Sequence, residues 1–133
     1  MFTESSLKVM QKGKKMIKIH LPMPPSEMRG NSRCHYHTKN KANHFMRSAV
    51  GDQIKKGQFV GYSVLFRFPD KRRRDCDNFL IGLKPALDEV SEIIGQDDSE
   101  WQIYGVFKEV DKFMAGVVVT FHEVAPFNFK EVF

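Results

Sequence analysis

The chain is poor in cysteine, with Cys34 and Cys76 as its two in 133 residues. Two thiols cannot build the disulfide framework of a small secreted domain, so free cysteines in a reducing cytoplasm are expected. No apolar run approaches the roughly 20 residues that a membrane-spanning helix needs, and no membrane partner is expected. The opening MFTESSLKVMQKGKK lacks an apolar h-region, which argues against a secretory signal. Residues 1–15 read as a flexible basic leader, and 16–133 as a single domain. There is no internal repeat. Histidine is also scarce. CHYH offers Cys34, His35 and His37, with His44 further on. That spacing is no standard C-x2-C or H-x3-H pairing, and no second cysteine stands near, so zinc and a histidine-based nuclease are minor readings.

What the chain does carry is core material and positive charge. The hydrophobic fraction is 41%, and there are twelve phenylalanines. A net charge of +5 makes an anionic partner plausible, with nucleic acid the commonest.

The element pattern is β-α-β-α-β-β, an α+β domain with a small mixed sheet and two main helices. MIKIHL (16–21) reads as a strand. Residues 22–41 are punctuated by Pro, Gly, Asn and Ser and read as a long loop. Residues 41–56 have helical spacing weakened by Gly51. QFVGYSVLFRF (58–68) alternates Val60, Tyr62, Val64, Phe66 and Phe68, the clearest strand. Residues 77–94 form an amphipathic helix stopped by Gly95, in which Pro85 predicts a kink or a restart. Strands follow at 101–110 and 113–124, with Asp111-Lys112 as the turn between them.

The stretch DKRRRDCDN (70–78) sets Lys71, Arg72, Arg73 and Arg74 beside Asp75 and Asp77. A basic run suits phosphate, whereas the acids repel it. Asp75 and Asp77 share a side if the segment is extended, but lie about 200° apart on a helix. They can hold one cation only where Asp75 precedes the helix and Asp77 enters its first turn. The plain alternative is Asp77 as an N-cap and Asp75 as a solvated loop residue. Asp97 and Asp98 occupy a turn after the helix, which can equally be a cap. Carboxylates with water and a phosphate oxygen suit magnesium. On one continuous helix, Asp77, Ile81, Lys84 and Asp88 share a face within about 60°. Lys84 could then stabilise charge developing on a phosphate, or simply snorkel at the core edge.

These motifs resemble the RusA family of Holliday junction resolvases over roughly 16–124. IHLPMPPSEMR is similar to the family's first strand and L-P-x-P-P-S turn. FPDKRRRDCDN is similar to P-D-x-R-R-R-D-x-D-N, and LKPALDEV to the family's lysine-bearing helix. GQDDSEWQIYGVFK is similar to its D-D turn and following strand. The resemblance implies a dimeric α+β nuclease that nicks four-way DNA junctions with Mg²⁺ (Mn²⁺ substituting), leaving 5′-phosphate ends, in recombination and repair. It implies Asp75, Asp77 and Asp98 as catalytic metal ligands, with Asp97 beside them, and Lys84 as the catalytic lysine. Lys71, Arg72, Arg73, Arg74 and Arg29 become the DNA contacts. One departure stands out: Lys84 lies seven residues after Asp77, and Ile81 holds the place that the family's lysine takes one turn after the aspartate. Cys76, between the acids, is expected to point away from them and to be dispensable.

Two rivals remain. One is a RusA-like protein that binds junctions without cutting, which the lysine shift keeps open. The other is a protein-interaction module built on the Phe-rich C-terminus (Phe127, Phe129, Phe133), whose phenylalanines could instead line a dimer interface.

Overall fold

The computed structural model describes residues 16–29 and 36–133. The leader, Cys34 and His35 lie outside the described residues. Strands β1 (Met16–Leu21), β2 (Gly61–Phe68), β3 (Gln102–Val110) and β4 (Gly116–His122) form one mixed sheet in the order β1-β4-β2-β3. Helices α1 (Tyr36–Val50), α2 (Cys76–Ile81) and α3 (Lys84–Ile94) accompany it, and a short α4 (Phe129–Val132) ends the chain. Among the described residues no helix is long and apolar enough to cross a membrane.

The α+β class and mixed sheet stand, but three details differ from expectation. First, β3 and β4 are not a hairpin. β4 lies between β1 and β2, antiparallel to both, while β3 pairs parallel to β2 at the sheet edge. The cause is composition: Val117, Val118, Val119 and Phe121 are all buried, and a strand apolar on both faces belongs at the centre. β3 carries Lys108 and Glu109 and tolerates the edge. Second, α1 begins at Tyr36, inside the expected loop. Its first turns, HTKNK, hold no apolar residue and so give no periodicity to read. It ends at Val50, where Gly51 takes a left-handed φ of 54°, and 51–56 is not helical.

Third, the second long helix is really two. α2 stops at Ile81, and α3 restarts at Lys84 with Pro85 in its first turn, where a missing N–H costs nothing. Gly82 sits at the break because a Cβ there would collide with the ring of Pro24, which is fully buried. The PMPP turn thus locks the step between the helices.

The core lies between the helices and one sheet face. Tyr62, Val64, Phe66 and Phe68 of β2 are buried, as the alternation requires, while Val60 stays exposed before the strand begins. Phe79 of α2 meets Phe68 edge-on at 5.2 Å and Phe66 at 6.0 Å. Arg47 of α1 bonds Glu92 of α3 at 3.1 Å, tying the two long helices together. On the opposite side of the sheet the C-terminal segment folds back. Phe129 stacks on Tyr104 at 5.6 Å and Phe127 meets both rings. Those two phenylalanines are therefore used within the chain, while Phe133 is 95% exposed.

Two glutamine side chains act as backbone clips. Gln53 accepts the His20 N–H (2.7 Å) and donates to the His20 carbonyl (2.8 Å), closing the outer edge of β1. Gln96, buried after α3, accepts the Phe59 N–H (2.9 Å) and donates to its carbonyl (2.7 Å). Replacing Gln96 by Leu strands two buried backbone groups and is expected to cost about 2–3 kcal/mol. Urea unfolding checks this; a cost below about 0.5 kcal/mol would show that water satisfies those groups instead.

Candidate nucleic-acid interface and acidic pair

Because β2 and β3 are parallel, the loops that leave them, 69–75 and 111–115, emerge at the same sheet end. The Asp111 N–H donates to the Phe68 carbonyl at 2.8 Å and joins the two. The carboxyl ends of parallel strands are where open α/β sheets characteristically receive ligands. Here an open cavity of about 280 Å³ is lined by Lys71, Arg72, Arg73, Arg74 and Lys108 together with Phe68.

The four cations of the run are not equivalent. Arg74 is spent on structure: it pairs with Asp70 at 2.8 Å, donates to the Asp70 carbonyl at 3.1 Å, and lies over the Phe68 ring at 4.8 Å. The guanidinium holds the Asp70 carboxyl below its ordinary pKa. Arg72 is 83% exposed and only loosely near Asp70, at 3.8 Å. Lys71 and Arg73 are exposed. The run therefore presents Lys71, Arg72 and Arg73 to solvent, braced by Arg74. Arg29, from the turn after β1, lies over the Phe79 ring at 4.4 Å, which fixes it to α2 rather than leaving it free on the surface.

Asp75 takes the N-cap position of α2 with extended backbone (φ −90°, ψ 112°), but its side chain makes no capping bond. Asp77 follows in the first turn. This corrects the reading of Asp77 as the cap, and it is the placement the shared-cation argument requires. Both are exposed, and among the described residues neither forms an ion pair, although four cations precede them. Cys76, between them, is half-buried against the core, and burial raises its thiol pKa. It faces away from its exposed neighbours, as expected.

Lys84 and Asp77 lie on separate helices, since α2 ends at Ile81 and α3 begins at Lys84. The Lys84 ammonium donates to Asp88 (2.7 Å) and to Asp98 (2.5 Å). The two carboxylates raise the lysine's pKa, and the ammonium holds the Asp98 carboxyl low. The pair borders an open cavity of about 260 Å³ walled by Tyr62, Trp101 and Ile103. Asp97 has a plain structural role, accepting the Ser99 N–H at 2.9 Å to cap the turn that enters β3. Gln96, unremarked in the sequence, anchors that turn from the other side.

The expected acids thus fall into two places. Asp75 and Asp77 follow the carboxyl end of β2, whereas Asp98 precedes the amino end of β3, with α2 and α3 between. Among the described residues no three of His, Cys, Asp and Glu gather closely enough to hold a metal ion. The donor chemistry of Asp75 and Asp77 nevertheless fits magnesium. That ion binds through one or two carboxylates, keeps several waters and takes substrate phosphates, instead of needing a protein cage. Lys84→Ala is expected to return the Asp98 carboxyl to the ordinary carboxylate range. Because the pair depresses the folded-state pKa, its stabilisation is present above the ordinary carboxylate pKa and is lost as pH falls through the depressed value. A carboxyl NMR titration of wild type and variant reads both; an unchanged Asp98 midpoint would mean that Lys84 is not its partner in solution.

Compared with known proteins, the chain matches no family model and no curated sequence.

Proposed function

We propose that the chain is a metal-dependent endonuclease of branched DNA, with four-way junctions as its preferred substrate and Mg²⁺ (or Mn²⁺) as cofactor. One observation carries the reading. Two exposed carboxylates that form no ion pair among the described residues, Asp75 and Asp77, closely follow three exposed cations at the carboxyl end of a parallel strand pair. Lys71, Arg72 and Arg73, with Lys108 across the cavity, bind backbone phosphates, an interaction that weakens steeply with salt. Asp75 and Asp77 are the residues that would hold the metal. A bound magnesium supplies Lewis acidity and a water of lowered pKa for phosphodiester hydrolysis, giving a 5′-phosphate and a 3′-hydroxyl. Asp98, neutralised by Lys84, supports the site from the far end of the helical connection, and Asp97 only shapes its turn.

Paired nicks across a junction need two sites related by a two-fold axis. The outer edge of β3 is the surface we assign to the second copy. It is the sheet's open parallel-side edge, and Ile103, Val106, Phe107 and Val110 are exposed on it. An exposed edge of that length and apolarity is otherwise an aggregation hazard. A cytoplasmic setting accompanies this reading.

A second reading, junction binding without cutting, is favoured by one specific feature: Lys84 is engaged with Asp88 and Asp98. Labelled four-way junction, duplex and flap, incubated with Mg²⁺ or EDTA, separate the two. Metal-dependent symmetric nicking of the junction supports the nuclease. Tight junction binding with no cutting in Mg²⁺ supports the second reading, and indifference to all three DNAs removes both.

A further inference from the structure

The loop between β3 and β4 exposes Phe113 (91%) and Met114 (63%). Exposure of this degree in an aromatic side chain normally accompanies a floppy loop, but here the backbone is pinned. The Asp111 carboxylate accepts the N–H groups of both Phe113 and Met114 at 3.0 Å, and the Asp111 N–H is bonded to Phe68. Gly116, next along, has a φ of 149°, and a Cβ there would press on the Leu21 carbonyl at 3.0 Å. The apolar pair is thus presented outward from a braced turn.

Cations flank it. Lys112 is exposed beside it. Phe113 and Met114 line an open cavity with His20, Leu21 and Arg67, while Lys71, Arg72, Arg73 and Lys108 line a second cavity at the loop that the Asp111–Phe68 bond joins to this one. Three acids at this end are occupied, Glu109 by Arg67 at 2.8 Å, Asp70 by Arg74, and Asp111 by the turn itself, while Asp75 and Asp77 are the exposed pair assigned above to the metal. An apolar prong with exposed cations on the neighbouring loop matches a partner that is anionic outside and apolar within. Nucleic acid has that chemistry, with phosphates at its surface and stacked bases behind them.

We infer that Phe113, supported by Met114, is a wedge that enters the base stack at the branch point of the DNA. The inference rests on the proposal that branched DNA is the partner. At a branch point the stack is already interrupted, so insertion costs less than in a continuous duplex. Phe113 is a specificity determinant in this scheme, not a catalytic residue.

The test uses full-length protein with Ca²⁺ in place of Mg²⁺. A four-way junction carries 2-aminopurine next to the branch, and a linear duplex of equal length is the reference. Wild type is expected to raise the 2-aminopurine fluorescence on binding. Phe113→Ala should lose that rise and bind the junction about tenfold more weakly, with duplex affinity unchanged. Phe113→Trp should retain both. The side chain is solvent-exposed, so an unchanged melting temperature will show that the fold is intact. A Phe113→Ala protein that keeps the fluorescence rise and the junction preference overturns the wedge. So does one that loses binding only to anionic phosphatidylserine vesicles, which would make the loop a lipid contact. If wild type shows the Phe113-dependent rise but never cuts with Mg²⁺, the nuclease reading falls and the wedge stands. If it cuts while Phe113→Ala keeps the rise, the wedge falls alone. If wild type binds no DNA, both fall.

Discussion

Asp77→Asn is expected to lower junction cutting by about a hundredfold or more while leaving the fold intact. The change removes one negative ligand and keeps the shape of the side chain. Metal assistance is worth several kcal/mol, and about 3 kcal/mol of lost transition-state stabilisation is about a hundredfold in rate. Asp77 is exposed, caps nothing and has no ion pair among the described residues. Its loss should therefore shift stability by no more than about 0.5–1 kcal/mol, the scale of a surface residue near a helix N-terminus. Asp75→Asn should behave alike, and Cys76→Ala should cut at the wild-type rate. Single-turnover cleavage with Mg²⁺ and thermal melting of all three proteins check this. An Asp77→Asn protein cutting within threefold of wild type would remove the acid pair from the chemistry.

Phe79→Ala is expected to be the most destabilising single change near the site, by about 3–5 kcal/mol. Phe79 is buried between the rings of Phe66 and Phe68 on one side and the Arg29 guanidinium on the other. Truncation opens a cavity where α2 meets the sheet, and it also removes the platform under Arg29. Since whole-domain stability is only about 5–15 kcal/mol, the variant should be substantially unfolded near 40 °C. Urea titration measures the loss. Phe79→Leu should recover much of it, because most of the volume returns. A Phe79→Ala cost under about 1 kcal/mol would mean that α2 is not held by this contact, and the placement of Asp75 and Asp77 would need another explanation.

The strands were legible to different degrees. The weakly alternating Met16–Leu21 matched to the residue, the buried set of β2 followed its clear alternation, and the last strand is Gly116–His122 within the expected 113–124. The pairing order was not legible. Short loops suggest hairpins, but the choice between β3 and β4 for the centre depends on relative burial across the whole sheet, which no local window contains. Pro85 did announce the restart at Lys84, yet the reason for the break, Pro24 against Gly82, lies 58 positions away in sequence. A helical-wheel argument assumed one axis and put Lys84 with Asp77 and Asp88. The Asp88 contact is there, one turn along the same helix, but the other partner is Asp98, which lies beyond the helix and outside any wheel. At the basic run, sequence showed four equal cations. Only geometry distinguishes Arg74, folded onto Asp70 and Phe68, from the three that face solvent. Lys108 was hidden for a similar reason: it reaches the same cavity through the parallel register that sets it opposite Phe66.

The central claim is that Asp75 and Asp77 repel phosphate until a metal inverts the local charge. Junction affinity measured in EDTA and in Ca²⁺, for wild type and for the Asp75→Asn/Asp77→Asn double variant, tests it most directly. Ca²⁺ is expected to tighten wild-type binding and to leave the double variant indifferent, and in EDTA the variant should bind at least as tightly as wild type. Wild-type affinity that ignores the metal, or a variant that still responds to it as wild type does, would mean that Asp75 and Asp77 do not carry a metal-dependent charge inversion.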